Sequence, residues 1–111
     1  MKSFDIKSDM PLALEAGRRL AMIIRNCTGK EKVIKIVHGY GSSGVGGSIK
    51  TAVHKSLRSK VSSGEIKAFI PGEAFSVMMG FDEVIQMYSN LIQSDSDYKK
   101  MNDGISYVIL N

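Results

Sequence analysis

The sequence has a single cysteine, no long apolar run and, from Val33 to Gly64, no acidic residue. Cys27 alone cannot form an internal disulfide, which is typical of a cytoplasmic chain. No apolar segment approaches the roughly 20 residues that a membrane-spanning helix needs. The first residues, MKSFDIKSD, lack the apolar centre of a signal peptide. We therefore expect a cytoplasmic protein without a membrane partner.

The size and composition predict one globular domain. The chain has 111 residues, of which 43% are hydrophobic and 23% are charged. This length is sufficient for a hydrophobic core but too short for two domains. The balance of apolar and charged residues is that of an ordinary soluble protein. We therefore treat residues 1–111 as a single domain.

The charge is distributed unevenly along the chain. Residues 1–60 contain twelve basic and four acidic residues, a net charge of +8, whereas residues 61–111 contain three and seven, a net charge of −4. A basic half favours a polyanionic partner, because phosphate groups are bound mainly through electrostatic attraction. A solvated surface without any partner is the alternative interpretation.

Hydrophobic periodicity predicts alternating strands and helices. The predicted elements are, in order, the strand KSFDI, a helix from Pro11 to Asn26, the strand VIKIV, a helix buried through Ile49, Ala52, Val53 and Leu57, the strand IKAFI, a less regular helix from Phe81 to Ile92, and the strand ISYVIL. The segment SDSDYKKMNDG is predicted to be an exposed loop. The order β-α-β-α-β-(α)-β predicts an α/β fold, an α+β two-layer sandwich with helices on a four-stranded mixed sheet.

The segment HGYGSSGVGGSIK contains five glycines between a strand and a helix. Gly39, Gly41 and Gly44 match the spacing of a dinucleotide fingerprint, but no acid follows at the end of the next strand and the chain is too short for a full doubly wound sheet. A phosphate-binding loop for nucleoside triphosphates fails as well, because Gly47 stands where its lysine belongs. The glycines at Gly46 and Gly47 are expected to delay the helix.

The chemistry of this segment still suits a run of phosphates. Glycines allow close approach, and the free N–H groups at a helix start can hold an anion. Lys50, His54 and Arg58 recur every four residues and should share one helix face away from the buried stripe. Tyr40 could stack on an unpaired base or pack down on the loop. The alternative is a glycine-rich turn that only connects the strand to the helix.

The stretch VIKIVHGYGSSGVGGSIKTAVHKSL resembles the central strand, glycine loop and second helix of the small MutS-related, or Smr, domain. FIPGEAFSV is similar to short stand-alone bacterial members of that family. The resemblance implies a sandwich similar to the C-terminal domain of initiation factor three. It also implies nucleic-acid binding, since Smr domains include endonucleases that nick DNA or cut RNA alongside members that only bind.

The resemblance also implies a cleavage site. The family's first strand usually ends in L-D-x-H-G, whereas this chain has FDIKS, so Asp5 matches the aspartate and Lys7 replaces the histidine. A lysine is a poor proton acceptor at neutral pH but grips a phosphate well. His38 matches the second motif and would act as general acid or base; a histidine hydrogen-bonded to backbone at a strand end is the alternative. Asp5 could hold Mg²⁺ with phosphate oxygens, although no other cofactor and no zinc site is indicated.

The residues expected to contact nucleic acid extend from the glycine loop along the helix. They are Gly39, Tyr40, Gly41, Ser42, Ser43, Gly44, Gly46, Gly47, Ser48, Lys50, His54 and Arg58. The predicted function is nucleic-acid binding, with DNA or RNA endonuclease activity as one possibility. A non-catalytic module that binds nucleic acid or a protein is the alternative.

The segment from Glu73 to Asp103 is longer than the corresponding Smr connection. Its methionines and aromatic residues are expected to pack on the sheet, or else to form an oligomer or partner surface: Met78, Met79, Phe81, Met87 and Tyr88. Its acids are expected to lie far from the basic half of the chain.

Overall fold

The computed structural model describes residues 1–9, 11–40, 44–75 and 79–111. Its elements are β1 (Lys2–Asp5), α1 (Ala13–Cys27), β2 (Val33–Val37), α2 (Gly44–Ser63), β3 (Ile66–Pro71), α3 (Asp82–Ile92) and β4 (Ile105–Leu110). The predicted order of strands and helices is therefore confirmed, including the less regular third helix. In the part of the chain that is described, no helix combines the length and the apolar character needed to cross a membrane.

The four strands form one mixed sheet in the order β1-β2-β4-β3. β1 is parallel to β2, and β4 lies between β2 and β3, antiparallel to both. Val37 at the end of β2 pairs with Ile105 at the start of β4, and Ser106 in turn pairs with Pro71 at the end of β3. The ends of β1, β2 and β3 consequently meet at the same end of the sheet.

The helices α1 and α2 cover one face of the sheet. Residues at helical spacing on each helix are fully buried; they are Ala16, Leu20 and Ile24 on α1 and Ile49, Val53 and Leu57 on α2. The three residues of α2 were predicted to be buried, whereas Ala52, predicted with them, is half-buried. They pack against Ile34, Ile36 and Val108 of the central strands. Removing this apolar surface from water is the main stabilising contribution of the two-layer sandwich.

The opposite face is covered by α3 and by the segment that joins α3 to β4. Ile92 of α3 packs with Ile70, Tyr107 and Ile109 of the sheet. The joining segment was predicted to be an exposed loop, but Asp95 and Asp97 in it are half-buried and both contact the ammonium of Lys35. The segment is a loop as predicted, but its exposure was wrongly predicted at these two residues, because Lys35 lies in the middle of a central strand, where a buried ammonium needs ionic partners.

Candidate functional site

The structure brings the first strand and the glycine segment together at the end of the sheet. The N–H of Ile6 donates to the carbonyl of Val37 at 3.0 Å, so the residues after β1 run beside those after β2. Gly39 has a positive φ of 86°, and a Cβ built on it would lie 3.2 Å from Cδ of Lys7. Asp5 and Lys7 are therefore neighbours of Gly39, as the resemblance implied.

Asp5 and Lys7 form the exposed part of this site. The carboxylate Oδ1 of Asp5 accepts hydrogen bonds from the N–H groups of Lys7 and Ser8, at 2.9 and 3.1 Å. Burial alone would raise the pKa of Asp5, but these backbone hydrogen bonds hold it below its usual value. The Lys7 ammonium lies 3.6 Å from Oδ2, and both side chains are more than two-fifths exposed. This ion pair contributes little to stability but leaves both charges available to a ligand.

His38 lies directly beneath this surface and is completely buried. Its Nδ1 is 2.9 Å from the carbonyl of Gly39, and its Nε2 is 2.9 Å from Oγ of Ser106. A carbonyl can only accept, so Nδ1 carries the proton and Nε2 accepts from the Ser106 hydroxyl. Burial lowers the pKa of His38. The geometry is that of the alternative interpretation, a neutral strand-end histidine hydrogen-bonded to backbone.

His54 also points into the protein, towards the same serine. Its Nε2 lies 3.1 Å from Ser106 Oγ, and its ring stands edge-on to that of His38 with centroids 5.3 Å apart. Because the single hydroxyl proton of Ser106 goes to His38, His54 must donate. Burial, and then the neighbouring His38, lowers the pKa of His54 to about 4. His54 is thus a neutral, half-buried side chain and does not share an outer face with Arg58, contrary to the expectation from helical spacing.

Lys50 is partly withdrawn from solvent as well. Its ammonium lies 2.8 Å from Oε2 of Glu73, and both side chains are only about one-fifth exposed. The expectation that acids of the later segment lie far from the basic half is therefore wrong at two places, Glu73 and the Asp95–Asp97 pair. The cause is tertiary, because Glu73 lies 23 residues from Lys50, and Asp95 and Asp97 lie 60 and 62 residues from Lys35, so that only folding brings them together.

The outer face of α2 presents the cations that stay exposed. Lys55 and Arg58 are exposed, and neither makes an ion pair with another described residue. Tyr40 is 63% exposed at the start of the glycine segment, next to Gly104, whose built Cβ would come within 3.3 Å of the tyrosine ring. Lys55 belongs to the acid-free stretch of the sequence but was not among the residues expected to contact nucleic acid, although its place three residues before Arg58 on the helix could have indicated it.

The remaining candidate residues divide into two groups. Gly41, Ser42 and Ser43 lie outside the described residues. Gly44, Gly46, Gly47 and Ser48 belong to the beginning of α2, which starts at Gly44, so the glycines do not delay the helix. Ser48 is exposed on this first part of the helix, whereas Gly47 is half-buried.

A divalent cation fits this site poorly. Among residues 1–9, 11–40, 44–75 and 79–111, no three histidine, cysteine or acidic side chains are grouped to hold a metal. Asp5 uses one oxygen on backbone N–H groups and turns the other towards the Lys7 ammonium, whose charge opposes a second cation.

Comparison with protein-family profiles, curated proteins and solved structures returned no match.

Proposed function

We propose that the chain is an Smr-like domain that binds nucleic acid through its phosphate backbone. The observation that carries the proposal is the exposed, acid-free basic surface of α2, with Lys55 and Arg58. Exposed, unpaired cations on a helix suit phosphates, because their binding releases counterions from the polyanion. Lys7 and Tyr40 add an exposed cation and an exposed aromatic ring where β1 and β2 end.

The geometry supports binding better than cleavage. His38 is buried and uses both ring nitrogens on Gly39 and Ser106, so it has no free lone pair for a proton from water. Lys7, which stands in place of the histidine of the family's first motif, offers an ammonium that donates but does not accept. Both features favour a module that holds nucleic acid without cutting it.

Endonuclease activity is the second candidate, and the exposed pair of Asp5 and Lys7 is the observation that favours it. In such a reaction the carboxylate of Asp5 would take a proton from a water that attacks phosphorus. The Lys7 ammonium would stabilise the negative charge that develops on the phosphate oxygens. The phosphorus–oxygen bond to the leaving nucleoside would break as the new one forms, and the leaving oxygen would take its proton from water.

The binding proposal is tested with a double charge reversal on α2. Labelled single-stranded RNA and DNA are titrated with wild-type protein and with Lys55→Glu/Arg58→Glu by fluorescence anisotropy at low salt. We expect the double variant to lose at least about tenfold in affinity, since two phosphate contacts become repulsions. The matched control is Lys99→Glu/Lys100→Glu, which makes the same charge change at two exposed lysines elsewhere. Equal affinities for the two variants would contradict the proposed surface.

Cleavage is tested separately with end-labelled branched DNA and structured RNA, with and without magnesium. The binding module predicts a shifted but intact substrate for wild-type protein. Cleavage that disappears in Asp5→Ala, with retained binding, would instead establish the second candidate. Lys50 is left unchanged in both experiments, because its replacement would leave the Glu73 carboxylate without its ionic partner.

A further inference from the structure

A cleft opens at the edge of the sheet, between α2, the edge strand β3 and the start of α3. It has a volume of about 380 Å³ and is lined by Arg58, Val61, Ser62, Lys67, Ala68, Phe69, Phe81 and Val84. This volume lies at the lower end of the range for small-molecule sites, roughly 300–1,000 Å³. Five of the eight lining side chains are apolar, so the cleft is suited to a small apolar group and not to a solvated ion.

Two aromatic rings that contact each other line the cleft. Phe69 is 6% exposed and Phe81 is half-buried, and their rings meet edge-on with centroids 5.4 Å apart. Phe81 is fixed at the start of α3, where its carbonyl accepts from the N–H of Ile85 at 2.8 Å. Aromatic side chains prefer offset or edge-on contact with other rings. A planar ring is therefore the occupant that this lining favours.

The polar side chains of the cleft specify the charge of the occupant. Arg58 and Lys67 are both exposed, and neither forms an ion pair with another described residue. The pairing of β3 with β4 shifts register between Ile66 and Ala68, so Lys67 occupies a bulge on the edge strand. Among the described residues, no acidic side chain lines the cleft. The occupant should therefore carry negative charge next to its planar ring.

We propose that this cleft binds an unpaired nucleobase, with the flanking phosphates held by Arg58 and Lys67. The inference rests on the proposed function and deepens it, because Arg58 belongs both to the basic surface of α2 and to the cleft. Bases in a duplex are stacked and paired and cannot enter, whereas a single strand offers its bases freely. The substrate class is accordingly single-stranded nucleic acid or a structure with unpaired bases.

The first test compares a single strand with a duplex of the same sequence in anisotropy titrations. Val61→Glu places a carboxylate at the mouth of the cleft, at a position that is 38% exposed. Ser59→Glu, also on α2 and exposed, adds the same charge outside the lining. We expect wild-type protein to bind the single strand at least about tenfold more tightly than the duplex, because one stacked base contributes roughly 1–3 kcal/mol. Val61→Glu should lose most of that preference and Ser59→Glu should keep it.

The outcomes separate this inference from the proposed function. Wild-type protein that binds neither nucleic acid would overturn the proposed function and the inference with it. Equal binding of single strand and duplex, with Val61→Glu and Ser59→Glu indistinguishable, would overturn the inference alone.

The second test locates the occupant by NMR on methyl-labelled protein. Uridine monophosphate should shift the methyl signals of Val61 and Val84 in a saturable manner, whereas inorganic phosphate should leave them nearly unchanged. An acetylated Asp-Phe-Asp peptide, which also combines a ring with negative charge, is the competing ligand class. Shifts of both valines with the peptide but not with the nucleotide would overturn the assignment.

Discussion

Two polar clusters lie on opposite faces of the central strands, and they provide partners for buried polar side chains in different ways. On the α3 face, Lys35 contacts Asp95 and Asp97 at 3.0 and 2.7 Å, and the hydroxyl of Tyr107 donates to Asp95 at 2.8 Å. On the α2 face, Ser106 joins two neutral histidines. The first cluster is charged and the second is neutral. The comparison teaches that ionic contacts anchor the segment after α3 to the sheet, whereas neutral hydrogen bonds join α2 to it.

The clusters also differ in how they respond to protons. Burial alone would lower the pKa of Lys35, but hydrogen bonds to Asp97 and Asp95 raise it. Burial alone would raise the pKa of Asp95, but hydrogen bonds from Tyr107 and Lys35 hold it below its usual value. The hydrogen bond from Lys35, and then that from Asn102, lowers the pKa of Asp97. His38 and His54 instead have lowered pKa values, because burial disfavours their charged forms. Mild acid should therefore disturb only the histidine side.

The largest effect is expected from breaking the charged cluster. Lys35→Met leaves two half-buried carboxylates close together without a cation, and removing one partner of a buried pair costs about 3–5 kcal/mol. We expect the free energy of unfolding in urea to fall by about 3 kcal/mol, because these groups keep some contact with water. Lys30→Met, at an exposed position, is the control and should change it by less than about 0.5 kcal/mol. A loss below 1 kcal/mol, on the order of a surface substitution, would show that the cluster is not an anchor.

The next effect is the dependence of the unfolding free energy on pH. In the unfolded chain His54 titrates near 6.5, whereas in the folded chain its pKa is about 4, so the unfolded state binds more protons between these values. The contribution to stability is complete above pH 6.5 and declines as the pH falls towards 4. We expect a loss of about 1–2 kcal/mol between pH 7 and pH 5, measured by urea unfolding. His54→Gln should flatten this decline, and a wild-type protein equally stable at both pH values would contradict the assignment.

The last two substitutions sharpen the comparison at adjacent residues of β4. Ser106→Ala removes the hydroxyl shared by His38 and His54 and leaves buried ring nitrogens without a partner, which should cost about 2 kcal/mol. Tyr107→Phe removes one donor to Asp95, which keeps Lys35 and the Asp97 N–H, and should cost about 1 kcal/mol. Urea unfolding at pH 7 measures both. A larger loss of unfolding free energy for Tyr107→Phe than for Ser106→Ala would contradict the expected order of the two clusters.

The strands and helices could be predicted from sequence because their signals are local. The β-branched run VIKIV indicated a central strand, and the spacing of Ile49, Val53 and Leu57 indicated a buried helix face. The partners of Lys35 could not be predicted, since Asp95 and Asp97 lie 60 and 62 residues away. Their approach depends on how α3 folds back over the sheet, and no local pattern encodes that.

The sequence predicted which residues of the candidate site lie close together, but not the direction in which the His54 side chain points. The resemblance placed Asp5, Lys7 and Gly39 together, and the strand register does bring them side by side. Helical spacing alone placed His54 outside, because it could not show that the hydroxyl of Ser106 lies on the facing strand. Ser106 lies on the same face of β4 as Val108 and Leu110, which are buried. A serine in this apolar alternation could have indicated a polar partner on the facing helix.

The most direct test of the account is the salt dependence of nucleic-acid binding by wild-type protein. The dissociation constant for a labelled single-stranded oligonucleotide is measured by anisotropy from 50 to 200 mM salt. We expect the logarithm of the association constant, the inverse of this dissociation constant, to fall linearly with log salt with a slope of about −2 or steeper, from contacts that include Lys55 and Arg58. Binding that does not change with salt, or no binding at 50 mM, would contradict a phosphate-binding surface on α2.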